Sequence, residues 1–249
     1  MILASKQKAV ERRHESQIIR DILPDAPECY LKDNLCLKCP VCALNGGIKA
    51  EKGAGEISVK SRVLYQTAFS VLPFEEIVES ITFNAVNERT TKTEQALGER
   101  ELVKPDTYFL SAVTLLAPTL DELKFYLYSM LHTTRYGAET RGMGVIENRL
   151  LGLVLSDSEH FSALGLTMDV YAALVEGKDT PALTYQAVLD RIHDGVMSEI
   201  ADSADRVFSA DEVVKIEQAL RAAKPTKEWI EKLYHDAQAF REKILNSEG

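Results

Sequence analysis

Apolar positions recur at helical spacing over residues 6–23, where Ile18, Ile19 and Ile22 follow Val10 and Pro24 ends the run. The stretch 57–71, ISVKSRVLYQTAFSV, carries Val, Tyr, Phe and Ile in partial alternation and predicts strand, as does 80–87. Residues 88–101, ERTTKTEQALGERE, are polar throughout and predict an exposed loop or hairpin tip. Over 107–116, Tyr108, Leu110 and Ala112 alternate against Phe109, Ser111 and Val113, another strand. Pro118 breaks it. Thr119, with Glu122 three residues on, then forms a capping box for a helix running to about His132, with Leu120, Leu123, Leu127 and Leu131 on one stripe. A glycine-punctuated loop, 133–144, leads into 145–155, VIENRLLGLVL, which reads as strand. Strand, helix, glycine loop and strand make half of a split β-α-β, ferredoxin-like unit. The remainder predicts helices over about 182–201, 210–223 and 226–246, with Ser209 and Glu212 as a second capping box and Pro225 between the last two.

Residues 24–56 break this periodicity. They hold three prolines, several glycines and all four cysteines of the chain, too little apolar material for a core of their own. Cys29, Cys36, Cys39 and Cys42 follow the pattern C-x6-C-x2-C-x2-C. A C-x2-C turn places two thiolates on one ion, and zinc takes four such ligands at tetrahedral corners. Two disulfides or unrelated buried thiols are the competing readings, and an iron–sulfur cluster is the competing metal group. His14 is the nearest alternative ligand. Four thiolates leave no open position, so the expected role of a zinc here is structural.

Composition narrows the partners. Hydrophobic residues make up 45% of the chain and charged residues 27%, ordinary for a globular protein. No apolar run reaches the length of a membrane span and the polar start is no secretory signal, so a cytoplasmic protein with no membrane partner is expected. The net charge of −9 argues at first against nucleic acid. It is unevenly spread, however: residues 1–59 carry +1, 60–155 carry −2 and 156–249 carry −8. The first two thirds therefore remain open to a basic face.

Three segments suit phosphate contact. A strand through Lys60, Ser61 and Arg62 puts Lys60 and Arg62 on one face, although a solvated edge strand has the same pattern. Arg89, Thr90, Thr91 and Lys92 combine hydroxyls with cations, as does any solvated loop. The loop 133–144 combines Thr133, Thr134, Arg135, Tyr136, Gly137, Arg141, Gly142 and Gly144. Glycine allows close backbone approach, arginine offers a fork to phosphate, and tyrosine can stack on a base. No nucleophile elbow, Walker-type loop or H-E-x-x-H motif is present.

The stretches KSRVLYQTAFSVLP, ITFNAVNERT, VKPDTYFLSAVTL and LHTTRYGAETRGMGVIENRLLG, taken in order with LCLKCPVC, resemble the type I-D member of the seventh CRISPR-associated protein family. This is the subunit that polymerises along the guide RNA of the type I-D interference complex (Cascade). The resemblance covers about residues 6 to 200. It implies an α+β fold with an RNA-recognition-like, ferredoxin-like core, a zinc-binding insertion, a thumb or lid hairpin, and a helical C-terminal part. On this chain the parts fall at 1–23 (N-terminal helix), 24–56 (zinc insertion), 57–155 (core, thumb loop at 84–104) and 156–249 (helical part). Asn84 joins the candidate RNA contacts. The implied partners are guide RNA, target DNA or RNA paired to it, further copies of the chain and other subunits of the complex. The implied cofactor is zinc on Cys29, Cys36, Cys39 and Cys42.

Two departures from the family pattern bear on function. The family has a strand ahead of the helix at 6–23, so one core strand is expected to be missing, as in an N-terminally shortened product. Related subunits that cleave RNA carry an aspartate shortly after a Ser-Arg-Val run; here Thr67 stands in its place, and a hydroxyl cannot do a carboxylate's work on metal or the 2′-oxygen. A non-catalytic role is therefore expected. The alternatives are an RNA-cleaving subunit of the same superfamily and a zinc-stabilised protein-interaction module without RNA.

Overall fold

The computed structural model describes residues 1–31, 34–51, 55–137, 145–178 and 183–247. The chain opens with helix α1 (Ala4–Ile22). The cysteine segment follows and ends in helix α2 (Pro40–Asn45), and strands β1 (Gly47–Glu51) and β2 (Gly55–Val59) form a hairpin. Next come β3 (Val63–Tyr65), β4 (Phe69–Ser70), the single turn α3 (Phe74–Ile77) and the long ribbon β5 (Val78–Val86) and β6 (Thr93–Val103). Strands β7 (Phe109–Leu110) and β8 (Val113–Leu115) lead to helix α4 (Leu120–His132), then β9 (Val154–Leu155) and helix α5 (Ala163–Leu174). The chain ends with α6 (Tyr185–Ile192), a π-helical turn (His193–Met197), β10 (Arg206–Val207), α7 (Ala210–Ala222) and α8 (Lys227–Ser247).

The spine is an antiparallel pairing of 63–71 with 108–115. β3 pairs β8 and β4 pairs β7, with Gln66 N donating to Ala112 O (3.0 Å) and Val71 N to Tyr108 O (2.9 Å) between and beyond them. Ile2 bridges Ala68 on the opposite side through two hydrogen bonds of 2.8 and 2.9 Å. One cluster of buried side chains joins α1 (Ile18, Ile19), α2 (Val41, Leu44), β3 (Val63), α4 (Phe125, Leu127, Leu131), α7 (Val213, Leu220) and α8 (Ile230, Leu233). A second joins Val71, Leu110 and Ala112 to α5 (Leu166, Val170) and α6 (Val188, Ile192). Fully burying such a side chain contributes roughly 1.5–3 kcal/mol, so both clusters fix the spine between helical layers.

The α+β class holds. Among the described residues every named strand pairs with one other, in five two-stranded ladders. Strand 57–71 is broken by a corner at 60–62, and 93–101, expected as loop, pairs as part of β6. The expected strand 145–155 keeps only Val154 and Leu155 in a ladder, with β10. Both capping boxes form, on α4 and on α7. Leu120 lies outside the buried stripe of α4, 65% exposed.

Candidate functional site

The cysteine segment folds back on itself. Tyr30 and Asn34 exchange backbone hydrogen bonds (2.9 and 3.3 Å), which returns Cys29 to the loop of the other three. All four Sγ atoms lie within 4.8 Å of one another. Zinc–thiolate bonds of about 2.3 Å to tetrahedral corners require sulfurs about 3.8 Å apart. The cysteines are free, and Cys29 Sγ and Cys42 Sγ are 3.4 Å apart, far beyond a disulfide bond. Backbone amides point at the sulfurs: Cys36 N at Cys29 Sγ (3.5 Å), Lys38 N and Cys39 N at Cys36 Sγ (3.4 and 3.3 Å), Cys42 N at Cys39 Sγ (3.5 Å). Cys39 is also the N-cap of α2.

The four thiols cannot all ionise unaided. Hydrogen bonding among them, with Cys29 first, pulls Cys36 below the usual thiol range and pushes Cys39 and Cys42 above it. Cys29 settles at about 7, raised by its bond to Cys36 and lowered by those to Cys39 and Cys42. A bound cation removes the conflict, so the set fits one metal ion. His14 is not part of it; its Nδ1 lies 3.1 Å from Ser129 O and from Thr133 Oγ1 on α4.

The corner at 60–62 sits directly behind this knuckle. Gly46, at φ +72°, closes α2; a Cβ there would meet Ser61 N and Val59 O at 2.6 Å, so only glycine lets the two backbones touch. Arg62 does not face outward with Lys60. It is 6% exposed, and its guanidinium donates to Ala43 O at the end of α2 (Nε, 3.0 Å), to Ala117 O (3.1 Å) and to both carboxylate oxygens of Glu122. The Phe240 ring packs 3.9 Å from its Cζ. Glu122 is also the capping-box residue of α4, so Arg62 ties the end of one helix to the start of another. The expected pairing of Lys60 with Arg62 on an RNA face is corrected: burial and internal hydrogen bonds consume the guanidinium.

What meets this corner is Lys8, a residue that no sequence pattern singles out. Its Nζ lies 2.8 Å from Ser61 Oγ, whose own proton goes to Val63 O (2.8 Å). One turn further along α1, buried Glu11 accepts hydrogen bonds from Tyr65 Oη (2.8 Å) and from Tyr136 Oη at the base of the glycine loop. Burial raises the Glu11 carboxyl, and the three tyrosine hydroxyls around it oppose that rise. The first glycine-loop residues and the 60–62 corner thus converge on one helix.

The loop's stem is pinned by side chains. Asn148 Nδ2 donates to Met130 O (2.9 Å) and Thr133 O (2.8 Å) and meets Tyr136 Oη at 3.2 Å, and Ile146 N donates to Thr134 O (2.9 Å). Glu217 on α7 accepts Leu150 N (2.7 Å), Arg149 Nε (2.6 Å) and Arg221 Nε (2.9 Å). Tyr136 therefore has its hydroxyl committed to the stem. Thr133, expected at the RNA, is 4% exposed and donates to Ser129 O (3.0 Å). Thr134 and Gly137 are exposed, and Gly137 takes φ +113° with open space around it. Arg135 is half-buried and donates to Gly137 O (3.3 Å). Arg141, Gly142 and Gly144 lie outside the described residues.

Asn84, Arg89, Thr90 and Lys92 are exposed on the β5–β6 ribbon. At its tip Asn87 Oδ1 accepts from Arg89 N (3.0 Å) and Thr90 N (3.2 Å), and Thr91 takes φ +55°. Thr67 Oγ1 accepts Ala4 N at 3.4 Å. Among the described residues no helix is long and apolar enough to cross a membrane.

Comparison with known proteins gives the arrangement a context. The family model described as Csc2 Crispr matches residues 1–243. The crystal structure of Csc2 from Thermofilum pendens is similar in fold, with a TM-score of 0.64 at 18% identity over 98% of this chain and 76% of that one. No curated protein matches.

Proposed function

The chain belongs to the Csc2 CRISPR family, and from that premise we propose that it binds CRISPR guide RNA as a repeated, non-catalytic backbone subunit of a type I-D interference complex. The guide's bases stay open to pair with target nucleic acid, DNA in the first instance. Copies of the chain follow one another along the guide, and other subunits of the complex cap the row. The protein acts in the cytoplasm.

The observation that carries this reading is the convergence on α1. The corner bearing Lys60 and Ser61, the ammonium of Lys8 and the base of the glycine loop through Tyr136 all meet that helix. A subunit that accepts any guide needs contacts to phosphate and sugar rather than base edges, and cations with hydroxyls supply those. Thr67 supports the absence of cleavage, since it offers no carboxylate. The decisive experiment is whether the chain, purified from cells carrying a CRISPR array, co-elutes with RNA of uniform length. Protein free of RNA that also fails to bind added single-stranded RNA would leave the interaction-module reading. Metal-dependent cutting of target RNA would favour the nucleolytic one.

The four cysteines hold one zinc in this reading, and four thiolates leave it structural. Elemental analysis is expected to give one zinc per chain and none in Cys42→Ser; iron with a visible chromophore would replace zinc by a cluster.

A further inference from the structure

Resting on that reading, we propose that Lys8, held against Ser61, is a phosphate-binding residue of the RNA face, taking the role that the strand pattern assigns to Arg62.

The ammonium is held in place. Lys8 is half-buried, and Ser61 Oγ accepts one of its three N–H bonds at 2.8 Å while donating its own proton to Val63 O. The backbone beneath Ser61 cannot drift, because Gly46 abuts it and Leu44 O accepts Arg62 N at 2.7 Å. A lysine with one donor anchored and two left over is ready for an anion at a defined spot.

The charges around it favour an anion. Among the described residues no carboxylate forms an ion pair with Lys8 or with Lys60. Arg12, the neighbouring cation one turn on, is occupied by Gly46 O (2.7 Å) and Cys42 Sγ (3.7 Å). Burial, followed by repulsion from Arg12, lowers the lysine's own affinity for its proton. The buried acid on that side, Glu15, acts in the other direction on Lys8 but is itself driven up to about 8 by burial and by Glu11. A phosphate seated on this corner relieves the repulsion.

The test is fluorescence polarisation of a labelled single-stranded polyuridine probe over a series of salt concentrations, with wild type, Lys8→Gln, Lys8→Arg, Ser61→Ala and the remote Lys215→Gln. Lys8→Gln is expected to weaken binding by about ten-fold and to flatten the salt dependence by about 0.7 in log–log slope, the signature of one phosphate fewer neutralised on a single strand. Lys8→Arg keeps the slope, Ser61→Ala weakens binding by a smaller factor and Lys215→Gln changes nothing. If wild type binds and Lys8→Gln keeps both its affinity and its slope, the proposal is wrong. If Lys8→Gln and Lys8→Arg lose affinity equally with the slope unchanged, Lys8 is structural and the proposal is equally wrong. A wild-type chain that does not bind the probe overturns the guide-RNA reading instead.

Discussion

Two short segments, Lys60 with Ser61 and Arg62, and Arg89 with Thr90, Thr91 and Lys92, look alike on paper: cations spaced by hydroxyls in strand-like surroundings. In space they are opposites. The first is wedged between α2 and α4, and its arginine is buried in an ion pair with Glu122. The second caps a two-stranded ribbon and is exposed at every residue from Arg89 to Lys92. The difference lies in what each segment has to satisfy. The carbonyls ending α2 and the first turn of α4 need a partner in the interior, and only a guanidinium with five donors spans them. The ribbon tip has its backbone served by Asn87 and by the turn's own carbonyls, so the fold does not call on the side chains of Arg89 and Lys92. A basic residue in this chain therefore serves the interior or a ligand, according to the unsatisfied groups near it.

The comparison breaks most sharply at Arg62. Removing one partner of a buried pair leaves Glu122 uncompensated, so Arg62→Met is expected to destabilise the chain by about 3–5 kcal/mol. Urea denaturation followed by circular dichroism measures it. The double variant Arg62→Met with Glu122→Leu should recover much of the loss. A single variant as stable as wild type would mean that the corner is not held from inside.

A smaller, pH-dependent effect belongs to the buried face of α1. Glu15 is fully buried, Asn45 Nδ2 donates to its Oε2 (2.6 Å), and Glu15 Oε1 and Asn45 Oδ1 have no partner among the described residues. A proton on Oε1 supplies the donor that these two oxygens lack. Its pKa of about 8 lies above the unfolded value near 4.5, so between those limits the folded chain holds one more proton than the unfolded one. Stability then falls as pH rises from about 4.5 to about 8 and levels off above. Glu15→Gln should flatten that fall, a difference on the order of 2–3 kcal/mol between pH 5 and pH 8. Parallel pH profiles for wild type and variant would show that Glu15 is ionised in the fold.

These buried charges mark the boundary of what the sequence makes legible. Helix ends announced by local chemistry came through: Thr119 with Glu122, Ser209 with Glu212, and the cysteine cluster, whose ligands lie within fourteen residues. Features satisfied across long separations did not. The run 145–155 is apolar enough for a strand. Its backbone groups are instead taken by Glu217 (Leu150 N), Arg221 (Asn148 O), His193 (Leu151 O, 2.9 Å) and Phe208 N (Leu153 O, 3.1 Å). Hydrophobic pattern reports burial, not which group closes a hydrogen bond. Helix α1 makes the same point: Gln7, Glu11, Arg12 and Glu15 are buried while Val10 is only half-buried. Helix α5, apolar around much of its circumference, shows no stripe to find. At the candidate site, Lys60 and the loop were visible as composition. Lys8 was not, because its neighbour Ser61 is 53 residues away.

The smallest effect on stability, and the one that separates the two basic segments by function, is expected at the ribbon tip. Arg89→Ala with Lys92→Ala removes two exposed side chains at the far end of the ribbon from the core, so unfolding should shift by no more than about 0.5 kcal/mol. Binding of one copy to a short probe should hardly change, because the corner and loop that meet on α1 are untouched. On RNA long enough for several copies the outcome differs. Among the described residues the ribbon of nine and eleven residues pairs only with itself, and in the proposed row of copies its tip would reach the neighbour's stretch of RNA. Leaving two phosphates per copy without their cations should lower the salt slope by about 1.4 per copy and weaken cooperative loading. Native mass spectrometry of copies per RNA across salt concentrations reads both. If the tip variant loads long RNA as wild type does, the tip's cations are solvent-facing and nothing more. If it instead loses stability as Arg62→Met does, the two segments are not the opposites that their surroundings make them.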